Sequence, residues 1–352
     1  MLRKLLISGL FLSLLVVSVS LVGAQEADET AVTFIEITGP ASERDAEISS
    51  LVWYGDHLLM ITENPFIYAE DGEAGRFFAL EKDDILDYLE SDAAEPLEPF
   101  AVPLIGEDIL DAVGGFSVAF DGFEAAVVSD MGFFAPDRIF LAIEADTVNS
   151  DDPTMRSYVV SGTIEPGLSA INLDLDTFVE IPRQTDFNNM SYESLLTVGD
   201  TLVAIYEANG EGVNAENVAY EIDLATGELA EIPLDNINYR VTDTTAHDAD
   251  GVFWAVNYFF AGEDFLAAED DPIFAEYGMG ASQAEFDGFE RLVAFQVTDT
   301  GIELVDQAPI QLLMTEDSNG RNWEGIVRLD DMGFLVVTDR WPVTLLGFVP
   351  GS

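Results

Sequence analysis

The segment Tyr192–Glu207 reads YESLLTVGDTLVAIYE and indicates two short apolar strands joined by a turn at Gly199 and Asp200. A carboxylate stands near each outer end of this hairpin, Glu193 in the first strand and Glu207 after the second. In an antiparallel pair, the first residue of one strand lies beside the last residue of the other. The pattern therefore predicts that Glu193 and Glu207 meet at one edge of a sheet, opposite the turn.

The same hairpin pattern recurs along the chain. Further copies span Ser49–Glu63, Glu124–Glu144, Thr242–Asn257 and Glu324–Asp339, and two more strand candidates follow most of them. Four antiparallel strands per repeat are typical of a propeller blade. The sequence therefore predicts an all-β propeller with five blades, or six if a degenerate blade lies in the long spacings. A β-sandwich is the competing fold, because it uses the same short strands.

Two elements outside the five copies bear on the fold. Only one strand candidate, Thr344–Val349, follows the last copy, and an orphan strand candidate, Val32–Thr38, precedes the first. We expect these N- and C-terminal strands to pair, which would close the ring and remove its exposed edges. The one helix candidate is Lys82–Glu90, where Ile85, Leu86 and Leu89 form an apolar stripe.

The N-terminal residues 1–24 have the features of a secretory signal peptide. A basic start is followed by an apolar run, Leu5–Val22, and by small residues before Gln25. An uncleaved anchor helix is the alternative, since the run would just span a bilayer. We expect secretion to the extracellular space or the periplasm, a flexible segment at 25–30, and a single propeller domain at 31–352 with an acidic insertion at 258–290.

The charge of the chain limits its partners. There are 67 acidic residues against 13 lysines and arginines, a net charge of −54. A field of this sign repels nucleic acid and anionic lipid, so we expect neither as a partner. The chain has no cysteine, which excludes disulfides and thiolate metal sites. A small-molecule, carbohydrate or peptide ligand remains as the expected partner, and we expect a monomer.

The repeat brings two sets of residues to one face of the ring. The first set, called here the first slot, lies early in the first strand of each copy; the second slot lies at the end of the second strand. The first slot contains Ser49, Glu124, Glu193, Thr242 and Glu324, and the second slot contains Glu63, Glu144, Glu207, Asn257 and Asp339. The long connections fall on the same face, and the insertion at 258–290 would cover the channel mouth as a lid.

Carboxylates that converge in this way raise each other's pKa unless a cation compensates them. Ca²⁺ prefers six to eight oxygen ligands from Asp, Glu, Asn and carbonyl groups. The predicted metal ligands are Glu124, Glu193, Glu324, Glu207, Asp339 and Asn257. Two other interpretations stay open. The slot acids are structural or merely solvated, or they are direct acid–base catalysts, for which Glu193 and Glu324 are the candidates.

Other catalytic signals are scarce. The sequence has no Gly-x-Ser-x-Gly elbow, no His-Glu-x-x-His motif and no phosphate-binding glycine loop. Arg321 and Arg340 flank the last copy on the same face as the slots. They are candidate counter-ions to slot carboxylates or, alternatively, anchors for an anionic group of a substrate.

The segment Asn322–Ile326, followed by Leu335–Asp339, resembles a family of phytase-like propellers, also called the "esterase-like activity of phytase" family. Its Glu-Gly-Ile piece is also similar to gluconolactonase-like propellers. The resemblance implies a secreted, Ca²⁺-binding propeller, with hydrolysis of phosphate or carboxylic esters proposed for some members. It maps the inner-strand acid of the family onto Glu324 and, by repeat, onto Glu193 and Glu124.

These observations give two functional hypotheses. In the first, a secreted propeller holds Ca²⁺ at a carboxylate-lined channel mouth and is a metal-dependent hydrolase of a small ester or lactone. In the second, the protein is a non-catalytic extracellular module that binds a sugar, a peptide or a partner protein through the insertion at 258–290.

Overall fold

The computed structural model describes residues 26–351 except 92, 107, 130–135, 148–154, 211, 261, 269, 287, 316–319 and 340–342. The predicted signal peptide therefore lies outside the described residues. The described part of the chain is an all-β structure with three short α-helices and five single-turn 3₁₀ helices. None of those helices combines the length and the apolar character that a membrane span requires.

The strands occur in the following order. They are β1 (Glu26–Ala27), β2 (Glu29–Thr30), β3 (Thr33–Ile35), β4 (Ile48–Tyr54), β5 (His57–Thr62), β6 (Gly75–Glu81), β7 (Phe100–Ile105), β8 (Val118–Ser129), β9 (Arg138–Thr147), β10 (Arg156–Ile164), β11 (Ile171–Ile181), β12 (Tyr192–Val198), β13 (Thr201–Tyr206), β14 (Ala208–Asn209), β15 (Val218–Asp223), β16 (Leu229–Pro233), β17 (Tyr239–Thr244), β18 (Val252–Phe259), β19 (Met279–Gly280), β20 (Phe289–Thr298), β21 (Gly301–Leu304), β22 (Ile310–Leu312), β23 (Trp323–Leu329), β24 (Gly333–Thr338) and β25 (Leu346–Pro350). The α-helices are α1 (Lys82–Glu90), α2 (Ile109–Gly114) and α3 (Pro272–Tyr277).

Most strands group into antiparallel units that follow one another along the chain. Unit one is β4–β7, unit two is β8–β11, and unit three is β12, β13, β15 and β16. Unit four is β17, β18 and β20 with β21 and β22 beside it, and unit five is β23, β24, β25 and β3. The blade count itself stays a prediction, because β7 pairs with β11 and merges units one and two into an eight-stranded sheet.

The first strands of these units form a ring. Strand β4 contacts β8 and β23, β8 contacts β12, β12 contacts β17, and β17 contacts β23. Side-chain hydroxyls reinforce the ring from one unit to the next. Ser49 Oγ donates to the carbonyl of Phe123 at 2.5 Å, and Thr242 Oγ1 donates to the carbonyl of Trp323 at 2.6 Å. This arrangement is the predicted propeller, with the first strands around a central axis.

The hydrophobic core consists of apolar layers between neighbouring units. In β13, Leu202 and Ala204 pack into the layer shared with unit two, whereas Val203 and Ile205 pack into the layer shared with unit four. Successive side chains of a strand point to opposite faces of its sheet. The inner strands are therefore continuous apolar runs, because both of their faces are buried.

The ring closes as the sequence predicts. Strand β25 pairs antiparallel with β3, with Leu346 opposite Ile35 and Phe348 opposite Thr33. Thr344 Oγ1 adds a hydrogen bond of 3.1 Å to the carbonyl of Glu43. The predicted helix Lys82–Glu90 is observed with the same bounds.

Residues 26–30, which the sequence predicts to be flexible, instead pair with other strands. Strand β1 pairs with β19, and β2 pairs with β22, both in parallel. Glu29 explains this ordering, because its carboxylate accepts hydrogen bonds from the backbone N–H groups of Ser282 and Gln283 and from Ser282 Oγ, the last at 2.6 Å.

The insertion between β18 and β20 is anchored to unit four. Asp271 caps the N-terminus of α3 and forms an ion pair with the buried Arg291 at 2.9 Å. The guanidinium of Arg291 packs against the rings of Phe274 and Phe289, 4.6 and 4.5 Å from their centroids. The second half of the insertion is thus fixed by buried contacts.

Candidate functional site

Each first-slot residue lies at a β-bulge. The register between the first two strands of a unit shifts at Ser49, Glu124, Glu193 and Glu324, and the shift in unit four spans Thr242 and Asp243. A bulge inserts one residue without a partner and re-aims its side chain. This repeated irregularity therefore takes the first-slot side chains out of the regular alternation of the strand.

The second slot also has a repeated geometry. The backbone N–H groups of Glu63, Glu207 and Asp339 donate to the carbonyls of Glu47, Ser191 and Asn322, at 2.8, 2.9 and 3.0 Å respectively. In each unit, the residue whose carbonyl accepts this bond lies two positions before the first-slot residue of the same unit. The two slots of a unit are therefore held beside each other, as the hairpin pattern predicts.

The first-slot carboxylates of three units come together around the channel. Removal from water raises the pKa of Glu124 well above its ordinary value, and the negative charges of Glu63, Glu144, Glu193 and Glu324 raise it further. A Cβ atom placed on Gly122 would lie 2.5 Å from Glu124 Oε1 and 3.0 Å from Glu63 Oε1, so these oxygens face the same point. We call Glu124, Glu144, Glu193 and Glu324 the carboxylate ring.

The pKa values of the other carboxylates of the ring are also raised. Burial, followed by the charge of Glu324, raises the pKa of Glu193 well above its ordinary value. Burial raises the pKa of Glu144 to about 8, with a further contribution from Asp121. Burial and then the charge of Asp339 raise the pKa of Glu324 to about 8. Without a bound cation, the ring therefore retains protons at neutral pH.

Two oxygens of the ring are buried without a hydrogen-bond partner among the described residues. They are Glu193 Oε2 and Glu144 Oε1, on side chains whose residues are only 8% and 4% exposed. An unsatisfied buried carboxylate oxygen is costly. These atoms are therefore acceptor positions that a bound group would complete.

Arg240 supplies positive charge to this region. Its Nε donates to Glu263 Oε2 at 2.8 Å, its Nη2 pairs with Glu263 Oε1, and its Nη1 pairs with Glu207. Its charge lowers the pKa of Glu144, Glu193 and Glu324, against the larger effect of burial.

Tyr258 contacts the ring from unit four. Its hydroxyl donates a hydrogen bond of 2.9 Å to Glu324 Oε1. Burial raises the pKa of this hydroxyl well above its ordinary value, and the charges of Glu324 and Glu193 raise it further. Tyr258 therefore stays protonated and fixes one oxygen of Glu324.

Two other predicted metal ligands, Glu207 and Asn257, are bound by protein groups instead. Glu207 is fully buried and pairs with Arg240. Asn257 is also fully buried; its amide nitrogen donates to the carbonyls of Asn238 and Arg240, and its oxygen accepts from Arg291 Nε at 2.7 Å. Asn257 thus makes backbone and arginine contacts rather than joining the ring.

Asp339 belongs to a second acidic group beside the ring. One carboxylate oxygen from each of Glu47, Glu63 and Asp339 lies within 4.8 Å of the others. The charge of Asp339 acts on Glu324, and that of Glu63 acts on Glu124. This group extends the acidic surface from units two and three to units one and five.

Arg321 is not a counter-ion of a slot carboxylate. Its guanidinium pairs with Glu290, which is only 1% exposed, at 2.6 Å, and the indole Nε1 of Trp323 donates to the same carboxylate at 2.8 Å. Arg340 lies outside the described residues. The counter-ion that the sequence reasoning missed is Arg240, two residues before a first-slot position in a chain with few basic residues.

Comparisons with known proteins give similarities in structure alone. No family model matches the chain, and no curated protein sequence matches it. A solved structure titled glucose dehydrogenase has a TM-score of 0.45 at 12% identity, covering 92% of this chain and 99% of its own. A soluble aldose sugar dehydrogenase from Escherichia coli has a TM-score of 0.43 at 11% identity, covering 92% and 100%. A mannose phosphorylase from Leishmania mexicana has a TM-score of 0.43 at 11% identity, covering 93% and 89%.

Proposed function

We propose that this propeller binds Ca²⁺ at the carboxylate ring and is a metal-dependent hydrolase of a small neutral ester or lactone. The observation that carries the proposal is the pair of buried, unpartnered oxygens Glu193 Oε2 and Glu144 Oε1 within a group of like charges. Like charges in a dry site must be neutralised by protons or by a cation. The ring provides only oxygen donors, which suit a hard cation.

We propose that Glu124, Glu144, Glu193 and Glu324 hold the cation. Their side chains must move closer together to do so, because among the described residues only Glu47, Glu63 and Asp339 bring three carboxylate oxygens within 4.8 Å of one another. Glu207 contributes to the site through Arg240, whose guanidinium it binds. When bound, Ca²⁺ supplies Lewis-acid polarisation of a substrate carbonyl. The protein supplies a site from which water is largely excluded, as the low exposure of Glu193 and Glu144 indicates.

Glu193 and Glu324 are the candidates for proton transfer. Tyr258 holds Oε1 of Glu324, which leaves the second oxygen of that carboxylate to accept a proton from water. A pKa of about 8 in the cation-free site lies near the pH at which a general base is most effective. Glu193 is the alternative base, because its Oε2 has no partner among the described residues.

The charges of the site favour a neutral substrate. Three guanidinium nitrogens of Arg240 point to Glu207 and Glu263, and the hydroxyl of Tyr258 points to Glu324. These donors are therefore occupied by protein acceptors. A polyanionic substrate would meet the net charge of −54 and little compensation at the ring.

A non-catalytic binding function is the second candidate, and an exposed aromatic pair favours it. Phe187 and Phe265 stack with their centroids 4.9 Å apart, and they are 40% and 42% exposed. Phe265 follows Glu263, the partner of Arg240, by two residues. A carbohydrate or an apolar peptide side chain would pack on this pair. In either case the proposal includes secretion and a monomeric protein.

Calcium titration followed by thermal unfolding tests the cation part of the proposal. A ligand that binds only the native state stabilises it by about 2.7 kcal/mol at one hundred times its Kd. We expect Tm to rise with added Ca²⁺ and to fall with chelator. A Tm that is indifferent to both would contradict cation binding.

Hydrolysis assays then separate the enzyme from the binding module. We expect Glu193→Gln to weaken Ca²⁺ binding about tenfold or more, because affinity follows the charge of the ligands, and to lower turnover of model esters and lactones. Glu228→Gln, on the exposed turn of the same unit, is the matched control. No turnover by the Ca²⁺-loaded wild type on any of these compounds would favour the binding module.

A further inference from the structure

Arg240 connects three parts of the site. It is itself only 7% exposed, and it binds Glu207 of unit three and Glu263 of the insertion. Nε and Nη2 of Arg240 bind the two carboxylate oxygens of Glu263, and this bidentate contact fixes the orientation of the guanidinium. Because arginine keeps its proton in proteins, this positive charge is a permanent feature of the site.

The same charge reaches the carboxylate ring. Arg240 pairs with Glu207, and the backbone N–H of Glu207 donates to the carbonyl of Ser191, which lies two residues before Glu193. From this position the positive charge favours the ionised forms of Glu144, Glu193 and Glu324. A divalent cation at the unpartnered oxygens of Glu193 and Glu144 would therefore lie near a guanidinium that already partly neutralises them. The two positive charges would repel each other, and the low exposure of the site limits the screening by salt.

We propose that Arg240 is a resident counter-ion that competes with the divalent cation for the ring carboxylates and so determines the affinity for that cation. This inference rests on the proposed function, because it concerns a cation held by the same ring. Arg240 is then more than an anchor for the buried Glu207. It neutralises part of the ring in the absence of the cation and limits how tightly the cation binds.

The position of Glu263 supports this role. Glu263 comes from the insertion and is partly exposed, with a side-chain exposure of 19%. Its bidentate contact with Arg240 holds the guanidinium beside the ring, and the nearby Leu266 is buried in the layer between units two and three. The insertion thus keeps the resident charge in place.

Calorimetric titration of the full-length mature protein with Ca²⁺ alone tests this inference on wild type, Arg240→Gln and Arg240→Lys. Removal of the positive charge should raise Ca²⁺ affinity about tenfold or more. Arg240→Lys keeps the charge but loses the bidentate fork, and should bind Ca²⁺ close to the wild-type affinity. If charge is irrelevant, both variants will shift the affinity equally or not at all, and the inference is overturned.

The outcomes separate this inference from the proposed function. Tighter binding by Arg240→Gln than by wild type supports both. Binding by Arg240→Gln alone supports the competition and contradicts the proposed function of the native protein. Equal or weaker binding by Arg240→Gln, with binding by wild type, overturns only the competition. Absence of binding by both overturns both.

A second variant covers the case in which Arg240→Gln does not fold. Loss of Arg240 leaves Glu207 buried without its partner, which is strongly destabilising. The double variant Arg240→Gln with Glu207→Gln removes the charge and its buried partner together and leaves Glu144, Glu193 and Glu324 unchanged. It should bind Ca²⁺ more tightly than Glu207→Gln alone, which differs from it only by keeping Arg240; equal or weaker binding overturns the inference.

Discussion

The carboxylate of Asp243, in unit four, accepts a hydrogen bond of 3.0 Å from the backbone N–H of Ile326, in unit five. Asp243 is only 1% exposed, and the same carboxylate oxygen lies 3.3 Å from Ser50 Oγ and 3.5 Å from the backbone N–H of Leu51, both in unit one. One side chain next to a first-slot residue thus connects three units across the axis of the propeller.

Replacement of Asp243 by alanine should therefore destabilise the whole propeller. Buried donors that lose their acceptor cost about 1–3 kcal/mol each, so we expect Asp243→Ala to lower the free energy of unfolding by about 2–4 kcal/mol. Denaturant unfolding followed by circular dichroism measures this change. Asp250→Ala, in an exposed turn of the same unit, should change it by less than about 0.5 kcal/mol. Equal effects of the two substitutions would contradict the assigned role.

The hydrogen bond from Tyr258 should control the titration of Glu324. This bond lowers the pKa of Glu324 against the larger effect of burial. Tyr258→Phe removes the bond, so the pKa of Glu324 should rise further, above about 8. Carbon-13 NMR titration of the side-chain carboxyl in cation-free protein measures it. Tyr277→Phe, which removes an exposed hydroxyl bound to Asp306, is the control and should leave Glu324 unchanged.

The cation-free protein should be less stable at pH 8 than at pH 5. Glu144 and Glu324 have a pKa of about 8 in the folded state against an ordinary value of 4.5. Between these pH values the folded protein binds more protons than the unfolded chain, so the free energy of unfolding falls as the pH rises. Saturating Ca²⁺ should reduce this dependence, because it stabilises the ionised ring. Thermal unfolding at both pH values, with and without Ca²⁺, tests it; greater stability at pH 8 without Ca²⁺ would refute it.

A substitution that keeps every acidic residue should still disturb the site. The Cβ of alanine at Gly122 would lie 2.2 Å from Glu63 Cγ and 2.5 Å from Glu124 Oε1, so both side chains must move. We expect Gly122→Ala to lower Ca²⁺ affinity about tenfold, since affinity depends on the arrangement and charge of the ligands. Gly114→Ala, where a Cβ meets nothing within 4 Å, should have no effect on affinity. Unchanged affinity in Gly122→Ala would place the cation elsewhere.

The sequence predicted the architecture because the same short pattern is repeated. Periodic apolar strands, turn residues and the orphan strand before the first copy were enough to indicate ring closure, and β3 and β25 do pair. The apolar segment from Ile302 to Leu312 does not form one continuous strand but belongs to two, β21 and β22. Its interior carries Asp306 and Pro309, which interrupt a continuous ladder.

The composition of the site was less predictable than its location. Residue types and spacing brought Glu124, Glu193 and Glu324 to one face, but they did not reveal the β-bulges that orient them, since a bulge leaves no regular signature in one sequence. Arg240, Tyr258 and Glu263 were missed because their proximity depends on how units three, four and five meet. An arginine two residues before a first-slot position was the available signal for this counter-ion.

The pairing of β25 with β3 affects how the protein folds and how it would associate with other copies. Segments from opposite ends of the chain must find each other before unit five is complete, and such non-local contacts make folding slow. A nick or truncation that frees β3 would expose the edge of β25 and offer it to another chain. Removal of residues 33–35 should therefore promote exchange of strands between molecules, with oligomers forming from an otherwise intact sheet.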